Sequence, residues 1–368
     1  MDKLKTRVLF ISLIILALVS ISAVAAADSV NDDIISANQE DFDLSEETND
    51  VEQLGANAID DTGSNEPLTA GEPGSFSELQ ALIDADTTGL IELDKDYVMS
   101  SDEKPIYINK TITIDGKGFK LDANNLNATL VAVSQVTLKD IVFINGNCTT
   151  EFSIDGTKAR GTVNLLKESA GSTIDSCIFK DNAALMGGAI YWTTNEGTLT
   201  NSRFENNSAK SAVDGVTSQG GAIYWTGDDG KIDNCNFTGN NVTHAGGAIY
   251  FNGADNQLIT NSYFYNNTCS VHGSNSGGAI YYYNSRNGRI EKTNFNENAV
   301  KGAGGAVYID KNSKNQSIVD SSFSKNVAEG LSGSGNAASF GYGGGAIYWA
   351  GSDGSIVNTN FTENFAKS

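Results

Sequence analysis

Residues 187–207 read GGAIYWTTNEGTLTNSRFENN: a Gly-Gly-Ala-Ile-Tyr run and, 17 residues after its first glycine, a Phe-x-x-Asn motif at Phe204 and Asn207. The Gly-Gly-Ala-Ile tetrad recurs at 220–223, 246–249, 277–280, 304–307 (with Val307) and 344–347. Its partner recurs at Phe179/Asn182, Phe237/Asn240, Phe264/Asn267, Phe295/Asn298, Phe323/Asn326 and Phe361/Asn364. A repeat this short cannot bury a hydrophobic face alone, so successive repeats must stack as a solenoid.

The spacing says which solenoid. From tetrad to Phe the distances are 17, 17, 18, 18, 19 and 17 residues, whereas from Phe to the next tetrad they are 8, 16, 9, 13, 9 and 21. Strands held in register on one arc, with insertions confined to one corner, give that alternation. Five residues before each Phe stands an apolar residue: Ile174, Leu199, Ile232, Ile259, Ile290, Ile318 and Ile356, with Leu138 before Phe143 as a degraded copy. Two before Phe stands a small one, from Cys177 and Ser202 to Thr359. Short β-branched and aromatic runs punctuated by Gly and Asn, without a helical period, predict an all-β fold in which each repeat is one coil of a single-stranded parallel β-helix, about ten coils in all. Coils would rise by roughly 4.8 Å.

Alternation along the strand after the glycines places Ile190 and Trp192, and their equivalents, in the core. It turns Tyr191, Tyr224, Tyr250, Tyr281, Tyr308 and Tyr348 outward, together with Ala189 and its equivalents. This tyrosine stripe is the candidate binding surface, either a platform for sugars or a partner surface, or else only cross-strand stacking. The Asn of Phe-x-x-Asn should form a ladder of side-chain amides that satisfies a corner. Phe179 to Phe237 and Phe237 to Phe295 both span 58 residues, so the repeating unit is a pair of coils. The units are 171–229, 230–287, 288–353 and a partial 354–368. The long arcs at 208–219, 268–276 and 327–343 should protrude from one edge at every second coil.

The chain opens with Lys3, Lys5 and Arg7 and an apolar run at 8–27, which reads as a secretory signal over 1–27. From residue 28 to 94 there are 19 Asp plus Glu and no Lys or Arg. Residues 28–71 should be an acidic disordered linker, and the β-helix domain should fill 72–368. Ser75-Phe76-Ser77-Glu78 offers a capping box for a helix whose Phe76, Leu79, Leu82 and Ile83 would cover the open end of the solenoid. At the other end the last Phe-x-x-Asn, Phe361 to Asn364, is followed by no further tetrad, so a further domain or chain covering the C-terminal coil is a possible partner. The net charge of −21 argues against nucleic acid and anionic lipid as partners.

Catalytic and cofactor chemistry find little to work with. Asp175, Asp233 and Glu291 recur at one position two coils apart, roughly 10 Å, near the upper separation of an inverting carboxylate pair. They repeat in register like a solvated ladder, whereas an active site is a local break in a pattern. The two histidines, His244 and His272, fall in variable arcs. Residues 341–346 match a dinucleotide fingerprint by letter but precede a strand rather than a helix, so no nucleotide is expected. Neither a cofactor nor a metal site is expected. Cys177 and Cys235 fall two coils apart, and Cys148 and Cys269 four, beyond the Cα separation of about 7 Å that a disulfide tolerates. Nine Asn-x-Ser/Thr sequons, among them Asn109, Asn127, Asn206, Asn241 and Asn315, suit a glycosylated exterior.

The paired GGAI and FxxN motifs resemble the repeats of chlamydial polymorphic outer-membrane proteins. The layout of signal, acidic spacer, SFSELQALID helix, YINKTITIDGKGFKLDAN segment and GGAIYW coils is similar to that of adhesin-like surface proteins of methanogenic archaea. The resemblance covers 71–368 and implies a right-handed parallel β-helix of the pectin-lyase-like class. It implies a secreted or cell-surface, non-catalytic adhesin-like protein whose partners are glycans or proteins of other cells. The rival readings are a polysaccharide-degrading lyase or hydrolase on the same fold and a purely structural stalk.

Overall fold

The computed structural model describes residues 71–154, 156–212, 215–270, 276–329 and 343–367. The expected signal and residues 28–70 of the expected acidic linker lie outside them, as do His272 and most of the arcs at 268–276 and 327–343.

Four parallel sheets of 11, 10, 9 and 8 strands run side by side, and each regular coil contributes one short strand to each, the eight-stranded sheet beginning only at Asn147–Cys148. Following one coil from its glycines, the chain passes through Ile190–Trp192 in a tyrosine sheet and Thr198–Thr200 in an isoleucine sheet. It continues through Arg203–Glu205 in a phenylalanine sheet and the two-residue strand Ser208–Ala209 at a corner. Equivalent residues pair without slippage: Phe179 with Phe204, Phe204 with Phe237, and Tyr191 with Tyr224. This is the parallel β-helix that the spacing predicts.

Columns of identical side chains make the core. Eight phenylalanine rings from Phe143 to Phe361 stack with centroids 4.6 to 5.1 Å apart, and Trp192 lies on Trp225 at 4.3 Å. Each buried ring is worth about 2 kcal/mol of desolvation before its stacking is counted. The column of Ala189, Ala222, Ala248, Ala279 and Ala306 corrects the expectation that it faces outward: all five are fully buried in the main core. The strand begins at Ile190, so strict alternation does not reach back to Ala189. There the chain is turning a corner, and both Ala189 N–H and Ile190 N–H donate to the Ala222 carbonyl.

Asparagine closes the next corner. The Asn207 amide donates to Phe179 O at 2.9 Å and to Asn240 Oδ1 at 3.0 Å, and the Asn207 backbone N–H donates to the same oxygen at 3.0 Å. The pattern repeats from Asn182 through Asn326, all buried, and Asn364 continues it. In the degraded coil Gly146 replaces the asparagine, and its N–H donates to Asn182 Oδ1 at 2.9 Å, starting the ladder.

The helix Phe76–Ala85 buries Phe76, Leu79 and Ile83 at the first coils. Leu82 departs from the expected face and is 46% exposed. Ser75 Oγ caps the helix by accepting from Glu78 N–H at 3.1 Å, but the box is not reciprocal, because the Glu78 carboxylate pairs with Lys95 at 2.7 Å. Glu103 satisfies a different first-turn donor, accepting from Ser77 N–H at 2.7 Å while its other oxygen accepts from Ser100 N–H at 2.8 Å. One element is absent from the sequence reading: an antiparallel hairpin, Phe152–Ile154 with Thr157–Ala159, inserted before the strand Val163–Glu168. It packs over Val131 and Leu166, outside the main core.

Candidate functional site

The six tyrosines form the expected column, with neighbouring ring centroids 4.8 to 5.5 Å apart. They do point away from the main core and belong to a separate apolar cluster. The column is not an open stripe, however. Tyr224, Tyr250, Tyr281 and Tyr308 are only 3 to 6% exposed, and Tyr191 and Tyr348 are half-buried. The cause lies just before each tetrad. In five of the six tetrads, all but that of Gly277, the first glycine takes a left-handed φ, +68° at Gly246, and turns the chain back across the strand, and Met186, Ala245 and Ala303 pack in the cluster of the phenol rings. Burial pushes the phenol pKa values of Tyr224, Tyr250, Tyr281 and Tyr308 up, so these groups stay neutral. Asn252 donates its amide to the Tyr224 hydroxyl at 2.6 Å. The column therefore stacks and packs; at most its ends and the 42% exposed Tyr283 present aromatic surface on that sheet.

The recurrent acids are engaged by the next coil. Asp175 Oδ1 accepts from Thr200 Oγ1 at 2.6 Å and Asn201 Nδ2 at 2.7 Å; Asp233 Oδ1 accepts from Thr260 Oγ1 at 2.7 Å and Asn261 Nδ2 at 2.8 Å. Burial pushes both carboxyls up, but these hydrogen bonds outweigh it and leave both below the ordinary value of 3.8. Glu291 instead takes Arg289 at 3.0 Å. The alternation of acid and threonine in successive coils now has a reason. A column of carboxylates at strand spacing would repel itself, whereas an acid beneath a hydroxyl and an amide is satisfied.

All four cysteines are buried thiols. Burial pushes Cys148, Cys177 and Cys235 up to about 12, so the thiolate form that would react or bind metal is suppressed. Ser202 Oγ accepts from Cys177 N–H at 3.1 Å, and Ser262 Oγ from Cys235 N–H at 3.2 Å.

The outer face of the phenylalanine sheet carries aromatic side chains that the sequence reading passed over. Residues on either side of each Phe point outward there, and in one coil they are Tyr263 and Tyr265, both partly exposed, with rings 6.0 Å apart and inclined by 10°. In register beside them lie Asn236 and Thr238 in one coil and Asn294 and Asn296 in the next. The Tyr-Phe-Tyr triplet around the conserved column position was the available signal.

A family model described as a right-handed beta helix region matches residues 163–366. No curated protein and no solved structure matches the chain.

Proposed function

The chain belongs to the right-handed β-helix family, and from that premise we propose that it is a secreted or surface-held, adhesin-like rod that attaches to other cells or to polysaccharide without catalysis. One observation carries this reading: the columns run in register from Phe143 to Phe361, and the acids that recur along them are engaged by hydrogen bonds or an ion pair. A polysaccharide-cleaving site needs an acid and a base held apart from such satisfaction, with pKa values driven in opposite directions. Asp175 and Asp233 are both driven down. What the exterior does offer is repetition, and weak contacts repeated along a rigid body add through effective concentration. The acidic segment at 28–71 would hold the rod off its support by self-repulsion.

Beads coated with the purified full chain test this reading. They should attach to cells or immobilised cell-wall polysaccharide, and soluble protein should compete saturably. Equal attachment of beads coated with an unrelated acidic protein would refute it.

A further inference from the structure

We propose that the outer face of the phenylalanine sheet around Tyr263 and Tyr265 binds a neutral polysaccharide chain. This deepens the attachment reading and rests on it. The two side chains leave the strand Tyr263–Tyr265 on the same side, with buried Phe264 between them on the other. Their rings are nearly parallel and partly exposed, and so can take the apolar C–H faces of sugar rings.

Around them the face is polar and uncharged. In five successive coils the outward pairs are Asn236 and Thr238, Tyr263 and Tyr265, Asn294 and Asn296, Ser322 and Ser324, and Asn360 and Thr362. Ionic side chains resume with Arg203 and Glu205 one coil before. The ten outward side chains of these five coils include neither acid nor base, and the exposed charges that flank them, Lys292, Glu297, Lys325 and Glu363, are of both signs, so the face presents no cluster of cations for an acidic glycan.

The amides are also pre-set. Ser322 Oγ donates to Asn294 Oδ1 at 2.6 Å, and Asn296 Nδ2 donates to the Tyr263 hydroxyl at 3.4 Å. Each bond fixes an orientation while using only part of the amide's capacity, which leaves donors and acceptors for sugar hydroxyls. The adjacent acid, Glu297, is taken up by the Tyr265 hydroxyl, which raises that phenol's pKa. Coils repeat at about 4.8 Å, close to the length of one sugar unit, so an extended chain lying along the stack meets one row per residue. Apart from the two tyrosines the outward positions of these coils carry no large apolar side chain, so the face lacks the hydrophobic core of a protein interface.

Affinity electrophoresis of the full chain through gels containing dextran, mannan, soluble hydroxyethyl cellulose or polygalacturonate tests the site. Retardation is expected in at least one neutral gel and not in polygalacturonate. Y263A/Y265A should weaken it by about tenfold or more, Y263F/Y265F should weaken it less, since the rings stay while the hydroxyl contacts to Asn296 and Glu297 are lost, and Y283A, on another sheet, should leave it unchanged. Circular dichroism and the unfolding midpoint of each variant exclude misfolding. Unaltered retardation of folded Y263A/Y265A, or retardation by polygalacturonate alone, overturns the site. No retardation by any gel, while coated beads still attach to cells, also overturns the site but leaves the attachment reading standing. Loss of bead attachment by the unmodified chain defeats both.

Discussion

Asparagine does at residue scale what a longer turn does elsewhere. Asn240 Oδ1 accepts two N–H groups of Asn207, and its own amide donates to Phe204 O at 3.0 Å and Asn267 Oδ1 at 2.9 Å. Asn240→Ala removes four hydrogen bonds from a dry corner, each worth about 0.5 to 1.5 kcal/mol, although Asn267 Oδ1 keeps the backbone N–H of residue 240 and the Asn207 amide keeps Phe179 O. Urea unfolding should therefore show a loss of about 3 kcal/mol or more. A loss under about 1 kcal/mol would mean that water replaces the amide. Carboxylates set the acid limit. Glu103, which holds the helix start through Ser77 and Ser100, is pushed up by burial but pulled further down by those N–H groups, from 4.5 to about 2. A folded pKa below the unfolded one stabilises above the unfolded value and loses that contribution as pH falls through the folded one. Stability should thus be steady above about pH 5 and decline from about pH 4.5 towards 2, with Glu103→Gln flattening part of the slope in a pH series of melting temperatures. A pH-independent melting temperature across that range would contradict this assignment.

At the scale of elements, the glycine pair and the cap helix each make a separable claim. Gly247 has no room for a side chain, since an added Cβ would overlap the carbonyl of Gly278 in the next coil. Gly247→Ala should cost several kcal/mol, beyond the roughly 1 kcal/mol that a glycine-to-alanine change usually moves, and thermal melting would register it. For the helix, Leu79→Asp should strip protection from Tyr97–Val98 in hydrogen exchange, whereas Leu82→Asp should not, because Leu79 is buried and Leu82 exposed. The period exposed most of this in advance. Phe and Asn spacings name the sheets and the amide corner, and the Gly pair names the turn. Two features stayed hidden for physical reasons. Alternation tells which way Tyr224 points from its own sheet but not that Ala245 will fold over it, and the hairpin Phe152–Ile154 with Thr157–Ala159 occurs once, so no repeat announces it. Likewise the acceptor for Ser77 N–H in the first turn is Glu103, 25 residues beyond Glu78 in sequence, a contact that only the stacked coils bring together.

At the largest scale, the β-helix is a stack in which each coil binds only its neighbours, so its rigidity and its surfaces both come from repetition. On the reading proposed above, function follows from what the repeated faces can hold rather than from one reactive pocket. Column position decides each side chain's fate: buried phenylalanine and asparagine, covered tyrosine, satisfied acids, and an uncharged outer strip with two tyrosines. The most direct trial of this account measures binding and turnover together. The full chain is incubated with an immobilised cell-wall polysaccharide while retained protein and newly released sugar ends are followed over time. Saturable retention with no release above the protein-free control is the predicted result. Release of oligosaccharides that grows with protein concentration, and that disappears in Asp175→Asn or Asp233→Asn, would contradict it.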